Sequence, residues 1–296
     1  IDMKYIDDEF GKFAAERYDL EFFIETKSNL SKRQIQTLAR GGVKSMQPGI
    51  ESLSMAQLKE MDKGVSPIQN LQCLRWSSYY NIHLSWNILL GFPGETNEDY
   101  QKQIDLIPAI VHLQPPESVG KLWLERFSPY FSRAHEYGVR ITGPGVAYDY
   151  VYDPNAVDLK KVAYDFEYDV DSKVDPSLFE ELTGLAAQWK RRHASADKPF
   201  LYYAKSMSYV TVYDGRPEGA PSRERYEWPA SFIIEFCSEA PKSLEQIQEG
   251  VRASETALPP APTSVDQALR QLLARRILYE DRGRYLTLAI PMNPHL

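Results

Sequence analysis

Over its first 130 residues the chain alternates between short apolar runs and helices with marked starts, and this limits the folds open to it more than any other feature. "IDMKYI" (1–6), "EFFIE" (21–25), "VKSMQ" (43–47), "HLSWNILLG" (83–91) and "KLWLERF" (121–127) read as strands bounded by turn signals. Between them, Ser31 with Gln34 and Ser66 with Gln69 have capping-box spacing, and Thr96 with Asp99 is a related start signal. Pro67 falls at a first helical position, where its missing N–H costs nothing. Gly41-Gly42 and Gly64 read as helix stops. Ile68, Leu71, Leu74 and Tyr79 give the helix after Ser66 one apolar face, and Pro108 is expected to kink or end the helix that begins after Glu95.

Strands that alternate with helices form a parallel sheet with helical crossovers, so the fold class is α/β. Polar residues collect at the carboxyl ends of these strands: Asp7 and Asp8, Glu25 to Lys27, Gln47 to Ser52, Asn87 to Glu95, Arg126 and Ser128. Parallel α/β folds bind ligands outside those ends.

Residues 128–154 read as aromatic loop and 158–193 as mostly helix with an acidic insert, together a connector packed on the sheet. The last hundred residues read as a further unit. "FLYYAKSMSYVTVYDGRP" is hairpin-like, helices follow near 227–238, 243–253 and 264–275, and "ILYEDRGRYLTLAI" turns at Arg282-Gly283. That order predicts a winged-helix-like α+β domain, interrupted by a Pro-rich break at 255–262. The expected divisions are 1–135, 136–197 and 198–296.

Charge narrows the partners. The net value is 34 − 41 = −7, and from residue 198 onward twelve Lys and Arg balance twelve Asp and Glu. Neither figure favours nucleic acid, and peptide capture by strand addition suits the last unit better; a scaffold role is the alternative. No apolar run reaches the roughly 18 residues of a membrane span. Two cysteines, Cys73 and Cys237, make a disulfide framework unlike this chain, and a reduced cytoplasm is the expected location. "DVDSKVDPSLFE" sets acids at calcium-loop positions, but Lys173 and Val174 occupy two positions that loop needs, so a solvated acidic segment is expected. The five histidines have no paired metal spacing.

Three stretches carry the candidate chemistry. In "GFPGE" (91–95), Gly91 and Gly94 permit unusual backbone and Pro93 stiffens the turn, which suits either a ligand stacked on bare backbone or a plain strand-to-helix turn. In "QPGIESLS" (47–54), Glu51 is a candidate for an ammonium group or simply a helix-start carboxylate. In "FFIETKSNLS" (22–31), Glu25 and Lys27 share a strand face and are either ligand contacts or a solvated ion pair.

Together "FFIETKSNL", "GVKSMQPGIESLS" and "SWNILLGFPGETNEDY" resemble the second to fifth strands of radical S-adenosylmethionine (SAM) barrels. "KGVSPIQNLQCLRW", "HLQPPE", "RFSPYF" and "AYDYVYD" are similar to the cobalamin-dependent branch that matures ribosomally made peptides (RiPPs). The resemblance implies a partial radical SAM (β/α) barrel, strands two to six, with methyl transfer to carbon of a precursor peptide. It implies SAM contacts at Gly49, Glu51 and Ser52 for the methionine part, Glu25 and Lys27 for polar groups or ribose, and Ile88, Leu90, Gly91 and Pro93 against adenine. It also implies a [4Fe–4S] cluster on a CxxxCxxC loop and a cobalamin domain. The sequence holds neither, so the resemblance places Ile1 just after the cluster loop and leaves "IDMKYI" an exposed edge strand. Two functions follow as expectations: part of a radical methyltransferase, inactive by itself, or a degenerate partner that binds precursor peptide or a full-length enzyme. An unrelated α/β barrel enzyme would need a catalytic constellation that the sequence does not offer.

Overall fold

The structure, a computed structural model, describes residues 2–153, 155–255 and 264–292. Its first element departs from expectation. The described part of "IDMKYI", residues 2–6, is not a strand: a π-helical turn, Ile6–Phe10, runs into α1 (Gly11–Glu16). Ile6, Phe10 and Phe13 recur at helical spacing, and that period outweighs the short apolar run. Ile6 and Phe10 are buried, and Phe10 and Phe13 lie 5.4 and 5.5 Å from the Phe22 ring.

Then come β1 (Phe22–Glu25), α2 (Lys32–Arg40), β2 (Val43–Gln47), α3 (Met55–Glu60), α4 (Pro67–Tyr79), β3 (His83–Leu84), β4 (Asn87–Leu90), α5 (Asn97–Ile110) and β5 (Ser118–Lys121). Capping boxes form at Ser31, Ser66 and Thr96, and α5 ends two residues beyond Pro108. All strand pairings are parallel: β1 on β2, β2 on β3, β4 on β5. The expected strand 83–91 is thus two, divided at Ser85–Trp86. Trp86 turns into the core and its Nε1 donates to Gln114 O at 3.1 Å. Leu89 N still donates to Glu51 O (2.9 Å), so β4 continues alongside the chain that leaves β2. The last expected strand begins earlier than read, as β5, and its remainder joins a different sheet.

That sheet is antiparallel, in the order β6-β8-β7: β6 (Leu124–Glu125), β7 (Val139–Pro144) and β8 (Asp165–Val170), with short helices α6 (Pro129–Ser132), α7 (Ala147–Val151) and α8 (Leu159–Val162) between them. The loop-and-helix connector is therefore largely a small β unit with its own core of Leu124, Val139, Ala163 and Phe166. In the acidic insert, Asp175 caps α9 (Pro176–His193) by accepting from Ser177 N at 3.0 Å, and Asp169 pairs with Arg140 at 2.6 Å.

The C-terminal part opens with antiparallel β9 (Leu201–Lys205), β10 (Tyr209–Asp214) and β11 (Ser222–Glu227). α10 (Ala230–Glu239), β12 (Lys242–Ser243), α11 (Leu244–Glu255) and α12 (Val265–Ala274) follow. The hairpin β13 (Leu278–Asp281) and β14 (Arg284–Thr287) turns at Arg282 and Gly283, with φ of 53° and 74°, as a two-residue primed turn requires. β12, β14 and β13 form one sheet, and β15 (Ile290–Pro291) returns to lie parallel to β9. From residue 256 the expected Pro-rich break lies outside the described residues.

One hydrophobic core runs from Ile6 to Ile290. Helix α4 is at its centre and is buried on every side, not on one face as its apolar spacing predicts. Its polar residues bond both to the parallel strands' loops, through Asn70 and Gln72, and to the C-terminal part, through Arg75. Arg75 is fully buried: Nε donates to Ala289 O (3.0 Å), Nη1 to Ser238 O (2.7 Å) and Nη2 to Ser238 Oγ. Among the described residues no helix is long and apolar enough to cross a membrane.

Candidate functional site

The parallel strands form two adjoining sheets, β1-β2-β3 and β4-β5; helices cover one face and, among the described residues, the other is open. Alternation assigns the sides: on β4, Ile88 and Leu90 are buried toward the helices, while Asn87 and Leu89 are half-buried on the opposite side. Phe23 (56% exposed), Glu25, Gln47 and His83 stand exposed on the neighbouring strands. Ser118 Oγ donates to Asn87 Oδ1 at 2.8 Å, which puts β5 on the same side. A Cβ built on Gly120 meets nothing within 4 Å. Parallel sheets are ordinarily covered on both faces. An uncovered one, polar with an aromatic beside it, has the character of a binding face.

The loops leaving β1, β2 and β4 are locked together by a single buried hydrogen-bond network. Ser28 Oγ donates to Asn70 Oδ1 (2.5 Å), and Asn70 Nδ2 to Ser52 O (2.9 Å). Ser52 Oγ donates to Gln57 Oε1 (2.5 Å) and accepts from Ser54 N (2.9 Å). Gln103 Oε1 accepts from Leu53 N (2.9 Å), and Ser54 Oγ donates to Asp99 Oδ1 (2.7 Å). Gln57 Nε2 then reaches Glu95 Oε1 (2.9 Å), whose other oxygen accepts from Gly91 N (3.0 Å) and Tyr100 OH (2.5 Å). Burial pushes the Glu95 carboxyl up, against the lowering effect of those donors. Satisfied networks of this kind rigidify what they connect.

The residues implied by resemblance divide in two. Glu25 and Lys27 are exposed at the end of β1, Gly49 is left-handed (φ 61°), and Gly91 (φ 81°) and Pro93 sit half-buried at the end of β4. Those five reach the loop end of the open face. The other four are otherwise engaged. Glu51 pairs with Lys63 at 3.0 Å, so its carboxylate is held by a neighbouring side chain. Ser52 is fully buried within the network. Ile88 and Leu90 belong to the hydrophobic core. The strand period inside "NILLG" carries the correction: Asn87, Leu89 and Gly91 share the side opposite Ile88 and Leu90. Gln57, Glu95 and Gln103 were missed; only Glu95 lay in a stretch singled out, and the bonds that join the three to one another span 38 and 46 residues.

The "GFPGE" loop also serves the small β unit. The Phe92 ring is buried 5.7 Å from that of Tyr130, whose OH donates to Glu60 O (3.2 Å). Tyr168 OH donates to Leu122 O (2.8 Å) and would lie 3.7 Å from a Cβ on Gly91. Cys73 and Cys237 are buried on separate helices, and burial pushes both thiols up to about 12. They do not fit a cluster, which needs accessible thiolates. No group of three His, Cys, Asp or Glu among the described residues is placed to hold a metal ion.

No family model matches the chain. Over 115 residues it is 24% identical to the uncharacterized methyltransferase PH0819 of Pyrococcus horikoshii, covering 36% of this chain and 25% of that protein. Among solved structures it is similar to the cobalamin-dependent SAM radical enzyme OxsB with aqua-cobalamin and SAM bound, at 13% identity and a TM-score of 0.42 over 64% of this chain and 32% of that one. A second is the radical SAM methyltransferase TsrM from Kitasatospora setae, with tryptophan and a SAM analogue bound, at 18% identity and a TM-score of 0.37 over 48% and 28%. The chain spans about a quarter of the curated relative and a third or less of these structures.

Proposed function

We propose that the parallel sheet is part of a radical SAM (β/α) barrel and that its open face binds SAM. The observation that carries this is the uncovered polar face ending in three loops fixed by one network. Gly120 offers bare backbone, Leu89 and Phe23 apolar surface, and Glu25 a carboxylate exposed at the loop end of the face. The sequence resemblance and the partial likeness to a methyltransferase support the class of reaction, methyl transfer to carbon. Bound SAM supplies the methyl group or the radical precursor. Cluster thiolates would come from outside these residues, as would the cobalamin site.

The substrate in this reading is a ribosomally made precursor peptide. The order α10-β12-α11-α12-β13-β14 supports a winged-helix-like unit, and its net neutrality favours a peptide over nucleic acid.

Calorimetric titration with S-adenosylhomocysteine tests the site. Gly120→Phe sends a ring into the open face, where the added Cβ meets nothing within 4 Å, and should weaken binding at least tenfold; equal affinity in wild type and variant would refute the assignment. The chain by itself should form no 5′-deoxyadenosine after iron–sulfur reconstitution, and formation of that product would require a different cluster site.

A further inference from the structure

At the opposite, amino-terminal end of the parallel strands lies a cavity of about 780 Å³, walled on one side by β2 and β3 and on the other by β9, β15 and the end of α9. Its size is within the range of small-molecule sites and far beyond the ~30 Å³ share of one water. That end of a parallel α/β sheet ordinarily serves stability rather than ligands. The polar chemistry of this cavity is therefore the feature to explain.

Seven buried side-chain polar atoms find no hydrogen-bond partner among the described residues, and three of them belong to residues lining this one cavity: Ser78 Oγ, His112 Nδ1 and His193 Nε2. His112 is only 4% exposed. Its Nε2 lies 3.1 Å from Leu288 O. A carbonyl only accepts, so Nε2 carries the proton and Nδ1 presents a lone pair that requires a donor. Burial, with the Arg216 charge, holds His112 down to about 3, which keeps the ring neutral. Burial also lowers His193, to about 4. Lys44 and Lys198 line the same space and neither makes an ion pair among the described residues. Glu21 is the only carboxylate in the lining among the described residues. On a chain of net charge −7, that is a local cationic surplus.

We propose that this cavity binds a small hydroxylated organic anion, its phosphate or carboxylate met by Lys44 and Lys198 and a hydroxyl donated to His112 Nδ1. Such an occupant touches the parallel sheet through Lys44 and the C-terminal sheet through Tyr202, so it bridges the two. The site is independent of the SAM reading.

Titration calorimetry on the full chain, with ribose 5-phosphate, gluconate and inorganic phosphate as probes, tests the proposal. Ribose 5-phosphate or gluconate should bind saturably and at least tenfold tighter than inorganic phosphate. Lys198→Ala and Lys44→Ala, both at the cavity wall rather than in the core, should each weaken that binding at least tenfold, while Gly120→Phe leaves it unchanged. Failure of both organic probes to saturate overturns the proposal. So does inorganic phosphate binding equally well, or affinity that survives both lysine substitutions.

Discussion

Two β-rich units flank the same parallel sheet and are attached by opposite means. The C-terminal part, from residue 201, is joined through buried cations. Arg216 makes a bidentate pair with Asp214 (2.9 and 2.7 Å) and donates to Ala109 O, Arg275 O and Arg276 O, while Arg75 reaches back from α4 to Ser238 and Ala289. The small β unit, residues 124–170, has a separate core and meets the sheet through aromatic edges, Phe92 on Tyr130 and Tyr168 over Gly91. Trp123, Phe127 and Tyr150 on or beside it are largely exposed. Buried guanidiniums demand every partner and so fix one arrangement; a few ring contacts leave a unit free to open locally. The part next to the loop end of the candidate site is thus the loosely held one.

The largest effect that separates the two attachments is expected from Arg216→Ala. It strands the half-buried Asp214 carboxylate and three carbonyls, at a cost of about 3 kcal/mol. Chemical denaturation should show one cooperative transition moved as a whole, because the C-terminal part shares its core with the sheet. Two separate transitions would mean that the units are not joined as described.

Phe92→Ala tests the other attachment. Loss of a buried ring costs about 3 kcal/mol, but the loss should stay local. Amides of β6, β7 and β8 should exchange faster, with those of β9 and β10 unchanged. Equal acceleration in both would erase the contrast.

The same contrast explains what could be read beforehand. Capping boxes, the primed turn at Arg282-Gly283 and the βα order of 22–121 are local signals, and they were legible. The first helix was misread because the apolar run was cut at residue 6, before Phe10 and Phe13 complete the period. Arg75, Asn70 and Gln72 look like a solvent face in sequence; their burial depends on partners such as Ser238, 163 residues from Arg75. At the candidate site, the left-handed turns at Gly49 and Gly91 were legible as local glycine chemistry, whereas the pairing of Glu51 with Lys63 and the burial of Ser52 against Gln57 and Asn70 depend on partners that a linear reading does not bring together.

Acid separates the attachments by sign. His112 joins α5 to Leu288 and is held near 3 when folded, against about 6.5 unfolded. Its depressed value means that the unfolded chain binds the extra proton first, so stability falls as pH drops from 6.5 toward 3. By linkage that amounts to about 2 kcal/mol at pH 5, read from denaturation midpoints at constant salt. Asp214 adds to the loss lower down. Burial opposes its ionisation, yet the Arg216 hydrogen bonds and charge win and hold it below the ordinary carboxylate range, so its contribution disappears as pH falls through that range.

Glu95 should do the reverse, with the smallest effect. Its folded value is raised, so the folded state binds the proton more tightly than the unfolded chain does. The stability it confers is complete below the unfolded value of about 4.3 and is lost as pH rises through the raised folded value. Glu95→Gln removes that slope. The amide oxygen still accepts from Gly91 and Tyr100, but the new NH₂ faces Gln57 Nε2, whose amide is held in place by Ser52 and Gln103, so the net cost at neutral pH should be about 1–2 kcal/mol. Exchange of the Gly91 amide, followed from pH 4 to 7 in both proteins, reads the network directly. Protection that declines with pH in the wild type and stays flat in the variant ties the loop to this carboxyl. A parallel decline in both would place the control of the loop, and with it the hold on the small β unit, on another group.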